Sequence, residues 1–386
     1  MTLQPFEVNI PDEEIAILHA RLAATRWPDE PESAGWMYGA NGFFMRQLAR
    51  YWQEEFDWRA QERYINSFAQ FRAEVDGVGV HYVHERGQGP NPLPLLITHG
   101  WPSSFYEMLP LVRLLTDPAS HGGDPADAFD VVVPSIPGYA FSDRQTIRGF
   151  NYLQVADLWV ELMAGLGYPR FAAHAYDVGG TIMAMLLRHH PERVIAYHTT
   201  EPGNPAPYLG PSSHPLSEAE REYFAIQAEW QREESGYMAL QTTRPQTLGY
   251  GLNDSPIGLA AWIIEKWHAW TDPPLGDLTE SFTMDQLLAN VSIYWFTETI
   301  NSANRLYYER AHHPTPMRPG ETIDVPYGVT LTNQEVERVP REYAGRVFTD
   351  IRHWEEFGRG GHFVALEEPE LVATALRDFF RPLRSN

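Results

Sequence analysis

Apolar residues recur at helical spacing in the first part of the chain and then change to short strand-like runs. The helical spacing over 15–22, over 43–56 and over 58–68 predicts three N-terminal helices. Asp76 and Gly77 separate two short runs rich in apolar residues, and an Asp-Gly pair in that position predicts a hairpin turn. We therefore expect a small helical region that leads into a β-hairpin.

Buried-strand runs and helical stretches alternate in the next part of the chain. Helical patterns over 153–166 and 181–187 lie between apolar runs that are too short for helices. This alternation predicts a parallel, doubly wound sheet whose strands end along one edge, where sites in such sheets lie. The predicted strands of this part are 93–98, 129–133, 171–173 and 194–198.

The alternation stops after a proline-rich linker at 201–207. From 216 to about 308 the pattern is mostly helical and rich in Trp, Tyr and Phe. Because strands are predicted again at 325–331 and 346–350, before a last helix at 369–380, we interpret the helical block as a lid inserted into one sheet rather than a separate C-terminal domain. The predicted division is an N-terminal helical extension with hairpin at 1–85, a first core part at 86–202, a lid at 203–316 and a second core part at 317–386.

One junction between a strand and a helix carries a carboxylate. Ala175 to Gly179 has the form small-x-nucleophile-x-small, which is typical of a nucleophile elbow, and Asp177 is at its apex. A carboxylate nucleophile forms an ester of its own carboxyl group. The alternative is that Asp177 only caps the following helix.

Other residues could complete a site around this acid. His362 follows two glycines on a loop near the end of the chain, in the order expected for a general base. Glu335 follows a predicted strand and could orient that histidine, and Glu337 is an equal candidate on sequence grounds. The loop that contains Trp101 could supply backbone N–H groups, and a cis bond between Trp101 and Pro102 is a plausible way to hold it.

Composition narrows the expected partners. The net charge of -22 disfavours nucleic acid and anionic membranes, and the absence of cysteine excludes disulfides and thiolate chemistry. The start of the chain lacks a signal-peptide pattern, and no window reaches the apolar length of a membrane span. We therefore expect a soluble cytoplasmic protein, and a homodimer is compatible with these features.

The motifs, taken in order, resemble those of the α/β-hydrolase-fold epoxide hydrolases, and specifically the microsomal-type branch with an N-terminal helical extension. The resemblance covers essentially the whole chain. It rests on the segments 26–28, 51–52, 56–59, 99–102, 122–124, 234–238, 244–248, 252–261, 360–363 and 367–370.

The resemblance implies a hydrolase that needs no cofactor or metal and converts an epoxide and water to a vicinal diol. It implies that Asp177 is the nucleophile and that His362 is the general base. It also favours Glu335 over Glu337 as the acid that orients His362.

The resemblance further implies how the reacting oxygens are stabilised. Opening an epoxide produces an alkoxide, which needs a proton donor as its charge develops. Tyr237 and Tyr307 match the two lid tyrosines that serve this purpose, and Tyr308 is an adjacent alternative to Tyr307. The backbone N–H groups of Trp101 and Val178 would bind the oxyanion of the second step.

The elbow departs from the usual Gly-Gly-Asp-Trp-Gly of that family, because Val178 stands where the family has Trp. This change reshapes the floor of the site and leaves the substrate open, although the aromatic lid predicts a bulky or aromatic epoxide, either a xenobiotic or a natural-product intermediate. Haloalkane dehalogenases also resemble this pattern, but they need that Trp to hold the halide. A non-catalytic small-molecule receptor is the other alternative, and the intact set of nucleophile, base and acid disfavours it.

Overall fold

A nine-stranded sheet lies at the centre of the computed structural model, which describes residues 3–272, 277–333, 336 and 338–384. The order of the strands across the sheet is β1-β2-β3-β5-β4-β6-β7-β8-β9. Among the described residues the strands are β1 Leu3–Pro5, β2 Gln70–Val75, β3 Val78–Glu85, β4 Leu93–Thr98, β5 Phe129–Pro134, β6 Phe171–Ala175, β7 Val194–Thr199, β8 Tyr327–Leu331 and β9 Ile351–Glu356.

The sheet is antiparallel at one end and parallel over the rest. Strands β1, β2, β3 and β5 pair antiparallel, whereas every pairing from β5 through β4 to β9 is parallel. The predicted hairpin joins β2 and β3, and both Asp76 and Gly77 have positive φ, as a tight hairpin turn requires. All residues of β5 and β6 are buried, which is expected for strands covered on both faces.

Helices cover both faces of the sheet and form a lid over one edge. Helix α5 packs against α6, and α4 packs against α15, so that two buried clusters form around the sheet. In the described part of the chain the helices are α1 Asp12–Ala23, α2 Gly42–Glu54, α3 Trp58–Ile65, α4 Phe105–Thr116, α5 Tyr152–Gly165, α6 Asp177–His189, α7 Glu218–Glu233, α8 Gly236–Thr243, α9 Pro245–Asp254, α10 Pro256–Trp270, α11 Met284–Thr297, α12 Ile300–His312, α13 Arg341–Ala344, α14 Val364–Glu367 and α15 Pro369–Phe380. This is an α/β-hydrolase architecture, and helices α7 to α12 fill the segment that the sequence predicted to be mostly helical.

Two local predictions differ from the structure. The strand expected at 346–350 is a turn that makes one isolated bridge, between Phe348 and Ile323, and the last strand is β9. Strand β9 lies at the sheet edge and carries Arg, His and Glu side chains, so its sequence lacks the apolar run that the prediction relied on. The sequence analysis did not predict helix α4. The helix contains Pro110, which normally disfavours a helix, and apolar residues occur on all of its faces, so the sequence shows no amphipathic pattern.

The N-terminal helices pack against the lid. Helices α1 and α2 contact α10, and α2 and α3 contact α11. The Trp52 indole of α2 is fully buried and donates its Nε1–H to Ser292 Oγ of α11 over 3.1 Å, and the Tyr51 hydroxyl donates to Asp285 Oδ1 over 3.0 Å. The extension therefore supports the lid through helices α10 and α11. Within the described ranges, no helix combines the length and apolar character needed to cross a bilayer.

We predict that Trp52→Ala lowers the free energy of unfolding by about 3–5 kcal/mol, because it empties a buried indole site and leaves Ser292 without its donor. Chemical denaturation followed by circular dichroism measures this change. The control is Phe43→Ala on the same helix, which removes a ring that is 68% exposed and should change stability by no more than about 0.5 kcal/mol. Equal effects of the two substitutions would contradict the supporting role of the extension.

Candidate active site

Asp177 lies at the sharp turn where β6 ends and α6 begins. Its φ of 54° is in the left-handed region that non-glycine residues rarely adopt. The turn lies so close to its neighbours that a Cβ on Gly100 would be 2.4 Å from Asp177 Oδ1, and a Cβ on Gly179 would be 2.3 Å from Thr98 O. Only glycine fits at either position, and the Asp177 side chain is thereby held at the carboxyl end of the parallel strands.

Backbone N–H groups surround the Asp177 carboxylate. The Trp101 N–H donates to Asp177 Oδ1 over 2.7 Å, and the bond between Trp101 and Pro102 is cis, as the sequence suggested. Val178 belongs to the first turn of α6, where N–H groups have no partner within the helix, and the positive end of the helix dipole favours negative charge. The Asp177 side chain retains 14% of its exposure, so a small molecule can reach it.

His362 lies next to Asp177 on a tightly held loop. Its Nε2 is 3.6 Å from Asp177 Oδ2, and its ring packs edge-on against Trp270, with centroids 5.1 Å apart. The His362 N–H donates to Trp270 O over 2.8 Å, while the N–H groups on either side of His362 donate to the Glu367 carboxylate over 3.0 and 3.1 Å. These bonds fix the loop, so the imidazole of His362 is held beside the carboxylate of Asp177.

The two acids that the sequence offers to orient His362, Glu335 and its alternative Glu337, lie outside the described residues. Both follow strand β8 along the chain, and their roles stay predictions.

Two lid tyrosines lie opposite the elbow. Tyr237 of α8 stacks on Trp101, with ring centroids 4.8 Å apart and planes 3° from parallel, and Tyr307 of α12 packs edge-on, 5.9 Å from Trp101 and 6.4 Å from Tyr237. Tyr308, the adjacent alternative, instead stacks on His312 at 3.8 Å. Burial, and then the charge of Asp177, raise the pKa of Tyr307 well above its ordinary value, so its hydroxyl remains a neutral donor at pH 7.

A buried acid that the sequence analysis missed lies behind the Asp177 elbow. Glu107 of α4 is 1% exposed, and the Tyr176 hydroxyl donates to its Oε1. The Tyr176 ring also packs edge-on against His362, with centroids 5.8 Å apart. Burial raises the pKa of Glu107 to about 7, although hydrogen bonds from Ser103 and Tyr176 lower it in part. The signal in the sequence is an acid within the mostly apolar stretch that forms α4.

A second missed acid holds the elbow itself. Glu201 follows β7, is 6% exposed, and accepts the backbone N–H of Asp177. The sequence pattern places Glu201 at the start of the predicted linker. It nevertheless follows the carboxyl end of a parallel strand, which is where sites in such sheets lie.

A cavity of about 610 Å³ opens between the core and the lid next to Tyr307. Its lining is mainly apolar, and Tyr307 forms part of the wall. The core contributes Tyr152 and Thr181 to this wall, and the lid contributes Met238, Thr242, Tyr307 and Arg310.

Two protein-family models match overlapping segments of the chain, which together run from residue 3 to residue 244. The family model described as "Epoxide hydrolase N terminus" matches residues 3–108, and the model described as "alpha/beta hydrolase fold" matches residues 94–244. Epoxide hydrolase 1 of Sus scrofa is 33% identical, over 98% of this chain and 88% of its own length. A Stigmatella aurantiaca protein that is provisionally named an epoxide hydrolase is 40% identical, over 99% of this chain and 86% of its own length.

A solved structure agrees with these sequence relatives. The structure of Aspergillus niger epoxide hydrolase superposes with a TM-score of 0.86 at 30% identity, over 99% of this chain and 97% of that one. The similarity thus extends across the sheet, the lid and the N-terminal helices together.

We predict that Glu107→Gln changes how stability depends on pH. Between pH 4.5 and about 7 the unfolded chain has lost the Glu107 proton while the folded protein retains it, so this group lowers the free energy of unfolding as pH rises through that window. Because Gln has no proton to lose, the variant does not show this decrease in the free energy of unfolding. The difference in the free energy of unfolding, variant minus wild type, should therefore rise from pH 4.5 to about 7 and stay constant at higher pH, as measured by urea denaturation at a series of pH values.

The matched control for this measurement is Glu13→Gln, which alters an exposed carboxyl group on α1. Its stability difference from wild type should not rise through the same window. A Glu107→Gln difference that is independent of pH would show that Glu107 ionises normally in the folded protein.

Proposed function

The chain belongs to the microsomal-type epoxide hydrolase family and is an epoxide hydrolase, and we propose that Asp177 carries out its first step by attacking an oxirane carbon. The observation that supports this assignment is the position of its two oxygens. Oδ1 accepts the Trp101 N–H at 2.7 Å, which leaves Oδ2, 3.6 Å from His362, as the attacking atom. Attack forms a C–O bond to Asp177 and breaks the C–O bond of the ring, so that the product is an alkyl ester of the enzyme.

Tyr237 and Tyr307 would stabilise the oxygen that leaves in this step. Both rings lie on the lid side of Trp101, whereas Asp177 approaches from the sheet, as an in-line displacement requires. Because the Tyr307 phenol is neutral at pH 7, it can donate to the alkoxide as the charge develops and then give up its proton.

His362 would act in the second step. It removes a proton from water, and the resulting hydroxide attacks the Asp177 carbonyl carbon. The ester C–O bond then breaks, the departing diol oxygen takes up the proton held by His362, and the proton of the new Asp177 carboxylic acid returns to the tyrosine that gave one up in the first step, which restores the carboxylate. The Trp101 N–H already bonds Oδ1 and would hold the oxyanion together with the Val178 N–H. We assign Glu335 to the orientation of His362, from its place after β8 and from the family resemblance.

We infer the substrate class from the aromatic lid and from the cavity that Tyr307 helps to line. A largely apolar space of about 610 Å³ supports a bulky or aromatic epoxide, either a xenobiotic or a natural-product intermediate. The cysteine-free chain with a net charge of -22 supports a cytoplasmic enzyme that acts on small molecules rather than on nucleic acid.

We predict that His362→Gln traps the ester. Removing the base should stop hydrolysis but leave alkylation possible, so incubation with styrene oxide should yield a protein heavier by one substrate, as measured by intact-mass spectrometry. Peptide mapping should place the added mass on Asp177. The double variant Asp177→Ala/His362→Gln is the control and should remain unmodified. An unmodified His362→Gln protein without activity would mean that His362 is needed before alkylation.

We predict that Tyr237→Phe and Tyr307→Phe each slow alkylation by roughly 100- to 1,000-fold, because each removes one hydrogen bond to the developing alkoxide. The double variant should be nearly inactive. Rapid-quench measurement of ester formation with styrene oxide tests this. Tyr308→Phe is the matched control, since its ring stacks on His312, and it should alkylate at the wild-type rate. A slow Tyr308→Phe beside a normal Tyr307→Phe would transfer the role to Tyr308.

A further inference from the structure

Lys266 is the single lysine of the chain. The other permanently charged basic side chains are all arginine. It lies in lid helix α10, and its side chain is only 7% exposed. Lysine is normally a surface residue and is rarely buried without a partner. The burial of this one ammonium next to Tyr237 therefore suggests a specific role.

The ammonium ties α10 to the start of the helix that carries Tyr237. Lys266 Nζ donates to Glu234 Oε2 over 2.9 Å and to the Glu234 backbone oxygen over 3.4 Å. It also pairs with Glu265 Oε2 at 3.0 Å. Glu234 lies only three residues before Tyr237, so these bonds fix the backbone from which the Tyr237 ring projects.

The same ammonium lies over the ring of Tyr237. Nζ is 5.4 Å from the Tyr237 ring centroid and 5.8 Å from that of Trp270, within the range of cation–π attraction. The Tyr237 ring is itself 6% exposed and stacks on Trp101. A positive charge in this position is favoured more strongly as the phenol becomes negative.

The charges that face this ring come from both helices. The carboxylates of Glu234 and Glu265 offset the charge of the ammonium, and because their side chains are 36% and 26% exposed, water screens them more than it screens Lys266. The cluster has no net positive charge, so it is the position of the ammonium over the ring, with Nζ 5.4 Å from the Tyr237 centroid, that favours a negative phenol. With two carboxylates within 3.0 Å, Lys266 serves as a fixed charge rather than as a nucleophile.

We infer that Lys266 is a positioning residue for epoxide opening, which holds Tyr237 against Trp101 and stabilises the negative charge that Tyr237 acquires as it donates to the leaving oxygen. The inference rests on the proposed role of Tyr237. It adds a third lid residue to the reaction, one that acts through Tyr237 and has no contact with the epoxide. Arginine would not replace it well, because a guanidinium is larger and planar and spreads its charge.

The test separates the two half-reactions in single-turnover experiments with styrene oxide, measured by rapid quench and mass spectrometry. Lys266→Met keeps the length of the side chain and removes its charge, and it should slow ester formation by roughly 10- to 30-fold, the size of a desolvated cation–π contact. Hydrolysis of the ester, which depends on His362, should keep its wild-type rate. An unchanged rate of ester formation, or an equal loss in both half-reactions, would overturn the inference.

A double-mutant cycle tests whether the effect passes through Tyr237. In a Tyr237→Phe background, Lys266→Met should change ester formation by less than about twofold, because the phenol on which it acts is gone. The same loss in both backgrounds would overturn the inference. Lys266→Arg should form the ester faster than Lys266→Met and more slowly than wild type, and it carries the test if Lys266→Met does not fold.

A control variant measures the general effect of removing a cation from an aromatic face. The Arg384 guanidinium lies 4.4 Å from the Phe129 ring centroid, in the core and outside the lid, and Arg384→Met should leave the ratio of the two half-reaction rates unchanged. A Tyr237→Phe protein with a normal rate of ester formation would refute the proposed role of Tyr237. A slow Tyr237→Phe beside a normal Lys266→Met would refute only the role of Lys266.

Discussion

The site depends on how closely three backbone segments approach one another at the end of β6. Asp177 adopts a φ of 54°, and neither Gly100 nor Gly179 could carry a side chain without displacing its neighbours. Strain of this kind persists only when the surrounding structure holds it, and here the Glu201 carboxylate and the buried parallel strands do so. The hydrogen bond from Trp101 to the carboxylate follows directly from this close approach.

The charges of the site are arranged along one direction. On the sheet side lie the carboxylate of Asp177 and the acids Glu107 and Glu201, whereas the lid side carries phenols and the ammonium of Lys266 with its two carboxylate partners. Electron density in the proposed first step moves from the sheet toward the phenols, and among the described residues the ammonium is the one cation over the ring of Tyr237. Because the lid also rests on the N-terminal helices, the extension contributes to the geometry of the reaction although it lies outside the site.

Local patterns predicted the parts of the fold in which neighbours along the chain are also neighbours in space. The hairpin at Asp76, the elbow at Asp177 and the lid helices are of this kind, since each depends on turn chemistry or periodicity. Strand β9 and helix α4 escaped prediction because an edge strand can be polar and an enclosed helix has no polar face. Glu107 and Glu201 escaped it because their partners are 69 and 24 residues away in the sequence.

The use of arginine in place of lysine at all but one basic position also determines which chemical reagents can modify this protein. Reagents that modify side-chain amines normally consume a surface rich in lysine, but here they would meet a single ammonium that is 7% exposed and paired with two carboxylates. Aldehyde cross-linkers and activated esters should therefore leave the described surface almost untouched. Covalent attachment to a support through side chains would favour the 51 carboxyl groups of Asp and Glu, and Asp177, with 14% of its side chain exposed, is open to the same reagents.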